Sequence, residues 1–231
     1  MAINILVADD DRDIVEVISI FLTQEGYNVL KAYDGKQAID IVDKNEVHLI
    51  LLDIMMPNMD GITATLKLRE NKGIPIILIS AKSEDSDKIL GLNVGADDYI
   101  TKPFNPLELI ARVKSNLRRY MTLGSIADEK TVIKIGGLTL DTEAKCASVD
   151  GEEVRLTATE YGILELLMRN PGRIFSIDEI YENVWNERSY GADNTVAVHI
   201  RRIREKIEIN PKEPKYLKVV WGIGYKIERQ S

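Results

Sequence analysis

Cysteine is nearly missing from these 231 residues. Cys146 stands alone, so no disulfide can close within one chain, and a reducing compartment, the cytoplasm, suits the sequence. Cys146 itself reads as a small buried apolar residue rather than a reactive thiol. Long hydrophobic runs are missing too. Nothing approaches the roughly 18 apolar residues of a membrane helix, and no basic region leads into an apolar stretch at the start, which argues against a signal peptide. A general excess of basic residues is also lacking: the net charge is -7, which excludes a protein that coats nucleic acid uniformly. The deficit is local, however. Residues 1–129 hold 14 Lys and Arg against 21 Asp and Glu, whereas residues 130–231 hold 16 against 16. The length admits two domains with separate cores. The charge split gives an acidic first half, suited to metal and phosphate, joined to something different.

In that first half, short apolar runs alternate with helix-period segments. The expected strands are Ile3–Ala8, Asn28–Tyr33, His48–Ile54, Ile74–Ser80 and Asp98–Thr101. Between the first two, Ile14, Val17, Ile18, Phe21 and Leu22 fall on one helical face. Gly26 sits where that helix would end, and Asp11 or Asp13 is a candidate N-cap. Ile/Leu/Val runs without alternation read as parallel strands buried on both faces, so the fold class is α/β. Ligands of such sheets bind beyond the C-terminal strand ends. Asp9 and Asp10 end the first expected strand, Asp53 the third and Ser80 the fourth, and Lys102 follows the fifth. Crowded carboxylates repel unless a cation sits among them. Asp53 is therefore a candidate nucleophile toward a phosphoryl group, with Asp9 and Asp10 as Mg²⁺ holders. Lys102 would neutralise the transferring charge and Ser80 would donate a hydrogen bond to it.

These residues carry a family resemblance. ILVADDD (5–11), LLDIMMPNMDG (51–61), ISAK (79–82) and GADDYITKPF (95–104) resemble the receiver domain of two-component response regulators, over residues 1–120. The resemblance implies a flavodoxin-like (CheY-like) fold of five parallel strands. It implies Asp53 as acceptor of phosphate from a histidine kinase, and Mg²⁺ held by Asp10, Asp53 and the Met55 backbone carbonyl, with Asp9 assisting. Lys102 would contact the phosphoryl group beside a cis Lys102–Pro103 bond. Ser80 and Tyr99 match the switch pair of such domains, Ser80 standing where many relatives carry threonine. Lys88, Asp97, Asp98, Glu108, Arg112 and Arg119 match positions that form reciprocal salt bridges across a symmetric dimer in the OmpR/PhoB subfamily. Dimerisation on phosphorylation is the expectation.

From Tyr120 to Lys130 the apolar rhythm stops, which reads as a linker over 121–130 ahead of a second domain at 131–231. Strand-like pieces follow at Val132–Ile135, Leu138–Asp141, Ala144–Val149 and Val154–Leu156. A helix starts near Thr157, Thr159 and Glu160, and Asn170-Pro171-Gly172 stops it. A second is expected near Ile177–Trp185. The segment NTVAVHIRRIREKI (194–207) places Val196, Ile200, Ile203 and Ile207 on one stripe, with Asn194 or Thr195 able to cap it. At about 100° per residue, Thr195, Val198, His199, Arg201, Arg202 and Lys206 project from the other faces, His199 reading equally well as a packed or a phosphate-facing residue. Arg204 falls beside the stripe. A helix of this kind fits a DNA major groove. KYLKVVWGIGYKIE (215–228) then reads as a β-hairpin.

Helix followed by hairpin is the winged helix-turn-helix pattern. Residues 131–229, including TATEYGILELL (157–167) and GIGYKI (222–227), resemble the OmpR/PhoB effector domain. This implies sequence-specific promoter binding, with RNA polymerase as a further partner. Trp221 stands where many relatives place a wing arginine, leaving Lys218 or Lys226 to meet phosphate, and Tyr225 lies in the same wing. At finer grain, RVKSNLRRY (112–120) and VVWGIGYKIE (219–228) are similar to the VanR subfamily, which implies a VanS-like kinase and glycopeptide-resistance genes as targets. An aspartyl-phosphate phosphatase would want a general acid two residues after the nucleophile, and that position is Met55. A receiver that binds only proteins would not need the second half.

Overall fold

The structure is a computed structural model and describes residues 3–81, 91–92, 94–122, 132–185 and 193–229. It divides into two compact units, residues 1–120 and 121–231.

The first unit runs β1 (Asn4–Ala8), α1 (Arg12–Gln24), β2 (Asn28–Ala32), α2 (Gly35–Lys44), β3 (Leu49–Asp53), α3 (Gly61–Asn71), β4 (Ile76–Ser80), β5 (Asp98–Thr101) and α4 (Pro106–Thr122). The five strands pair in parallel in the order β2-β1-β3-β4-β5. Every residue of β3 and β4 is buried, as expected for central strands covered on both faces. Ile5, Val7, Leu49, Leu51, Ile77 and Ile79 pack against Val15, Ile18 and Leu22 of α1 and Leu109, Val113 and Leu117 of α4. The buried stripe of α1 is Val15, Ile18, Ser19 and Leu22. Val17, expected on that face, is exposed. Asp11 caps α1 by accepting from the N–H groups of Asp13 and Ile14, Asp34 caps α2 and Asp60 caps α3. Parallel pairing in register brings Ala8 beside Leu52, Asp53 beside Ile79 and Ser80 beside Thr101. One edge of the sheet thus collects the C-terminal strand ends, with Asp53 and Ser80 on them and Asp9 and Lys102 just beyond.

The second unit opens with four antiparallel strands, β6 (Val132–Ile135), β7 (Leu138–Asp141), β8 (Cys146–Val149) and β9 (Glu152–Val154). Two of these differ from expectation because of turns. Asp141 accepts from the N–H groups of Glu143 and Ala144, and Lys145 has φ 55°, so the chain turns through 142–145 and β8 starts late. Asp150 and Gly151 both take positive φ, a two-residue hairpin turn that pairs Glu152 with Val149 and moves β9 ahead of the expected Val154–Leu156. Cys146 is exposed, not buried. Beyond β9 come α5 (Ala158–Arg169), α6 (Ile177–Trp185), α7 (Asp193–Ile207), β10 (Leu217–Val220) and β11 (Gly224–Ile227). Thr157 and Glu160 form a reciprocal capping box at the start of α5. Helix α7 already includes Asn194 and Thr195, so neither is its cap. Leu164, Leu167, Ile180, Trp185, Val196, Ile200, Ile203 and Leu217 share one core. Of the expected linker, residues 123–130 lie outside the described residues.

Candidate functional site

At the polar edge of the first unit, Asp53 ends β3 with only 3% of its surface exposed. Its Oδ2 accepts the Met55 N–H at 2.6 Å and its Oδ1 accepts Lys102 Nζ at 2.6 Å. Lys102 also donates to Asp9 Oδ2 at 2.6 Å, and Asp9 Oδ1 accepts the Asp11 N–H at 3.0 Å. Asp10 is exposed at the rim, and oxygens of Asp9, Asp10 and Asp53 all lie within 4.8 Å of one another. Burial pushes the Asp53 carboxyl above its usual value, and the Lys102 hydrogen bond and charge recover only part of this. For Lys102 burial works against the ammonium, but hydrogen bonds and charges from Asp53 and Asp9 outweigh it and raise the pKa. Two buried carboxylates with a third at the rim repel one another, and one ammonium leaves the cluster with negative charge to spare. An all-oxygen donor set of this size fits a small hard divalent cation.

The turn after Asp53 is pinned from outside. Asn58, at φ 63°, donates to Asp34 Oδ2 at 3.1 Å, and the Gly35 N–H donates to the Met59 carbonyl at 3.0 Å. Gly61 is where α3 presses on the site: a Cβ there would lie 2.1 Å from the Asp53 carbonyl oxygen. Asp34 lies outside every motif quoted from the sequence, and Asn58 and Gly61 stand within LLDIMMPNMDG without an assigned role, although Pro57-Asn58 and Asp60-Gly61 are turn signals. Ser80 is buried at the end of β4, and its carbonyl accepts the Lys102 N–H at 2.7 Å. The Lys102–Pro103 peptide is cis. Tyr99 is buried within β5. Asp9, Asp10, Asp53, Ser80 and Lys102 are therefore neighbours at one sheet edge, and Met55 stands in the turn beside them.

In the second unit the expected DNA-facing residues of α7 divide. Arg201 is exposed and pairs with Glu205 at 2.9 Å, and Thr195 is half-buried. His199 is fully buried with its ring 5.6 Å from that of Trp185, and Val198 is buried as well. Val198 is corrected from groove-facing to buried, while His199 takes the packed place that was one of its open alternatives, beside Trp185 of α6. Arg202 and Lys206 turn toward buried Glu160, at 3.6 and 2.6 Å. Arg204 donates to the Leu217 carbonyl at 2.9 Å and lies 6.0 Å from the Tyr225 ring, tying helix to wing. Tyr225 itself exchanges backbone hydrogen bonds with Phe175 at 2.9 Å. At the hairpin tip Trp221 is 89% exposed, beside Gly222 at φ 73°. Ile223, also exposed there, had not been singled out.

Residues 5–114 match the family described as response regulator receiver domain, and residues 151–227 that described as transcriptional regulatory protein, C terminal. The chain is 41% identical over 231 residues to the regulatory protein VanR of Enterococcus faecium, across 99% of this chain and 100% of that one. It is 42% identical over 225 residues to the transcriptional regulatory protein YcbL of Bacillus subtilis strain 168, across 96% and 99%. The crystal structure of the response regulator DrrB, a Thermotoga maritima OmpR/PhoB homologue, matches with TM-score 0.53 and 31% identity over 99% of this chain and 100% of that one. The chain is a response regulator of the OmpR/PhoB family. It is a DNA-binding regulator by class, and no helix among its described residues is long and apolar enough to cross a membrane.

In this response regulator the charged set expected at a dimer face is engaged within one chain. Asp98 accepts from Arg112 at 2.9 Å, and Arg112 also meets Glu108 at 3.0 Å. Arg119 donates to Asn116 Oδ1 at 2.6 Å and to Ser115 Oγ at 3.1 Å. Asp97 is a correction. It is fully buried, holding Arg69 at 2.7 Å and the Ile76 N–H at 3.0 Å, because the β5 entry is clasped to the end of α3. Lys88 lies outside the described residues.

Proposed function

We propose that this regulator is a phosphorylation-switched transcription factor: a histidine kinase transfers a phosphoryl group to Asp53, and the modified chain pairs and binds promoter DNA. The single observation that supports it most is the buried Asp53 carboxylate, held by Lys102 and flanked by Asp9 and Asp10, in a chain that also carries a winged-helix unit. An Asp53 oxygen attacks phosphorus as the bond to the kinase's imidazole nitrogen breaks; the imidazole leaves and takes up a proton, and an acyl phosphate remains. Asp9, Asp10 and Asp53, with the Met55 carbonyl, are the residues that would hold Mg²⁺, which when bound offsets negative charge. Lys102 stays beside the phosphoryl oxygens as a fixed positive charge, and Ser80 and Tyr99 are the groups that would sense the new charge.

Arg201, Thr195 and Trp221 are the residues best placed to meet DNA, Arg201 at base edges or phosphate and Trp221 from the wing. Dimerisation would exchange the Asp98, Glu108, Arg112 and Arg119 contacts between copies. RNA polymerase would be engaged at the promoter, and the protein would act in the cytoplasm. The similarity to VanR supports glycopeptide-resistance genes as targets and a VanS-like kinase as donor. Sequencing the duplexes that the phosphorylated protein selects from a random pool tests the target assignment, and sites absent from glycopeptide-resistance promoters would remove it. Acyl-phosphate labelling lost in Asp53→Asn tests the acceptor; labelling that persists places it elsewhere.

A further inference from the structure

Among the described residues the second unit buries two carboxylates, Glu160 and Glu208, and the first of them meets two cations of α7. Glu160, in the first turn of α5, has none of its surface exposed. Its Oε2 accepts from the Thr157 N–H at 2.8 Å and from Lys206 Nζ at 2.6 Å. Its Oε1 has no hydrogen-bond partner among the described residues and lies 3.6 Å from Arg202 Nε. Arg202 and Lys206 are four residues apart on α7, so one face of the recognition helix delivers both cations to one buried anion. Their side chains are only 13% and 31% exposed, against 70% for Arg201. A capping box needs one oxygen and no cations; a fully buried charge needs a counter-charge. Glu160 meets both demands with residues drawn from the DNA-binding helix.

We infer that Glu160 is a positioning residue for DNA recognition, which holds Lys206 and Arg202 away from DNA phosphates so that α7 presents Arg201 with little sequence-independent attraction around it. Each phosphate contact steepens the salt dependence of binding by about 0.9 in log–log slope and strengthens binding to any sequence equally. Two withheld cations therefore lower affinity for random DNA more than they lower discrimination. Neutralising the anchor releases them.

This rests on the DNA-binding reading, and the experiment separates the two. The full chain and its Glu160→Gln variant are titrated over a salt series on two duplexes, one of random sequence and one selected by the protein from a random pool. The variant is expected to show a log–log salt slope steeper by about 1 to 2, tighter binding to the random duplex, and a smaller ratio of selected to random affinity. Adding Lys206→Met to Glu160→Gln is expected to recover part of the original slope. An unchanged or shallower slope in the folded Glu160→Gln variant overturns the inference. Glu165→Gln removes the same charge elsewhere on α5 and controls for net charge; an equal steepening there also overturns it. If Glu160→Gln does not fold, lysine acetylation of the unmodified protein decides. Lys206 is expected to react slowly both free and on DNA, and fast labelling that DNA suppresses would show a phosphate contact. Absence of binding by the unmodified protein at any salt would instead refute the DNA-binding reading itself.

Discussion

The proposed chemistry turns on a carboxylate oxygen that is reactive because of where β3 leaves it. Asp53 needs to be buried enough to exclude stray reactions and charged enough to attack, and Lys102 at 2.6 Å reconciles the two. Replacing Lys102 by Met is expected to retain the sheet while slowing labelling of Asp53 by a small phosphodonor by at least tenfold; a normal rate would remove Lys102 from the chemistry. Gly61→Ala is expected to lower stability by about 1–3 kcal/mol, because its Cβ would meet the Asp53 carbonyl oxygen and the neighbour is backbone. Equal thermal midpoints would show that α3 gives way. Asp9, Asp10, Asp53, Ser80 and Lys102 were legible in the sequence because each sits directly at or after an apolar strand, and strand ends in a parallel sheet converge. Asp97 was not legible as buried, because its environment is set by α3, an element distant in sequence. His199 could be read as packed or as groove-facing, and only the packing of α6 decides for the first.

Elements hold these residues through their ends. Asp34 and Asp60 cap α2 and α3, which flank the turn beyond Asp53. The Asp34 carboxyl sits below its ordinary 3.8, first because of the Gln37 backbone N–H, then through side-chain bonds from Asn58 and Gln37 that burial only partly opposes. A depressed carboxyl contributes stability that is present above pH 3.8 and is lost as the pH falls through its lower folded-state value. The thermal midpoint is therefore expected to fall more steeply in this acid range for the unmodified chain than for Asp34→Asn. Parallel curves would mean the cap does not depend on ionisation. In the second unit, Trp185 is fully buried and Trp221 is 89% exposed at the hairpin tip. A blue shift and iodide protection of emission on adding DNA therefore report Trp221, and an unaltered spectrum on a bound complex would place the wing off the DNA. Helix types and most strand positions followed from periodicity. The face assignment of α7 did not, since a projection at about 100° per residue knows the core stripe but not the anion waiting on α5.

On the scale of the whole molecule, an acidic first half and a charge-balanced stretch over 130–231 sit in one chain, and phosphorylation is the proposed link between them. Phosphorylation is expected to shift sedimentation from monomer toward dimer, with Asp98, Glu108, Arg112 and Arg119 exchanging partners; identical sedimentation before and after would refute pairing. The central claim is that modification of Asp53 controls DNA affinity. The most direct measurement is binding to a duplex selected from a random pool, at fixed salt, before and after treatment with a small-molecule phosphodonor and Mg²⁺, for the full chain and for Asp53→Asn. The treated chain is expected to bind at least about tenfold tighter, and the variant to show no change. Equal affinities before and after treatment, or the same gain in Asp53→Asn, would contradict it.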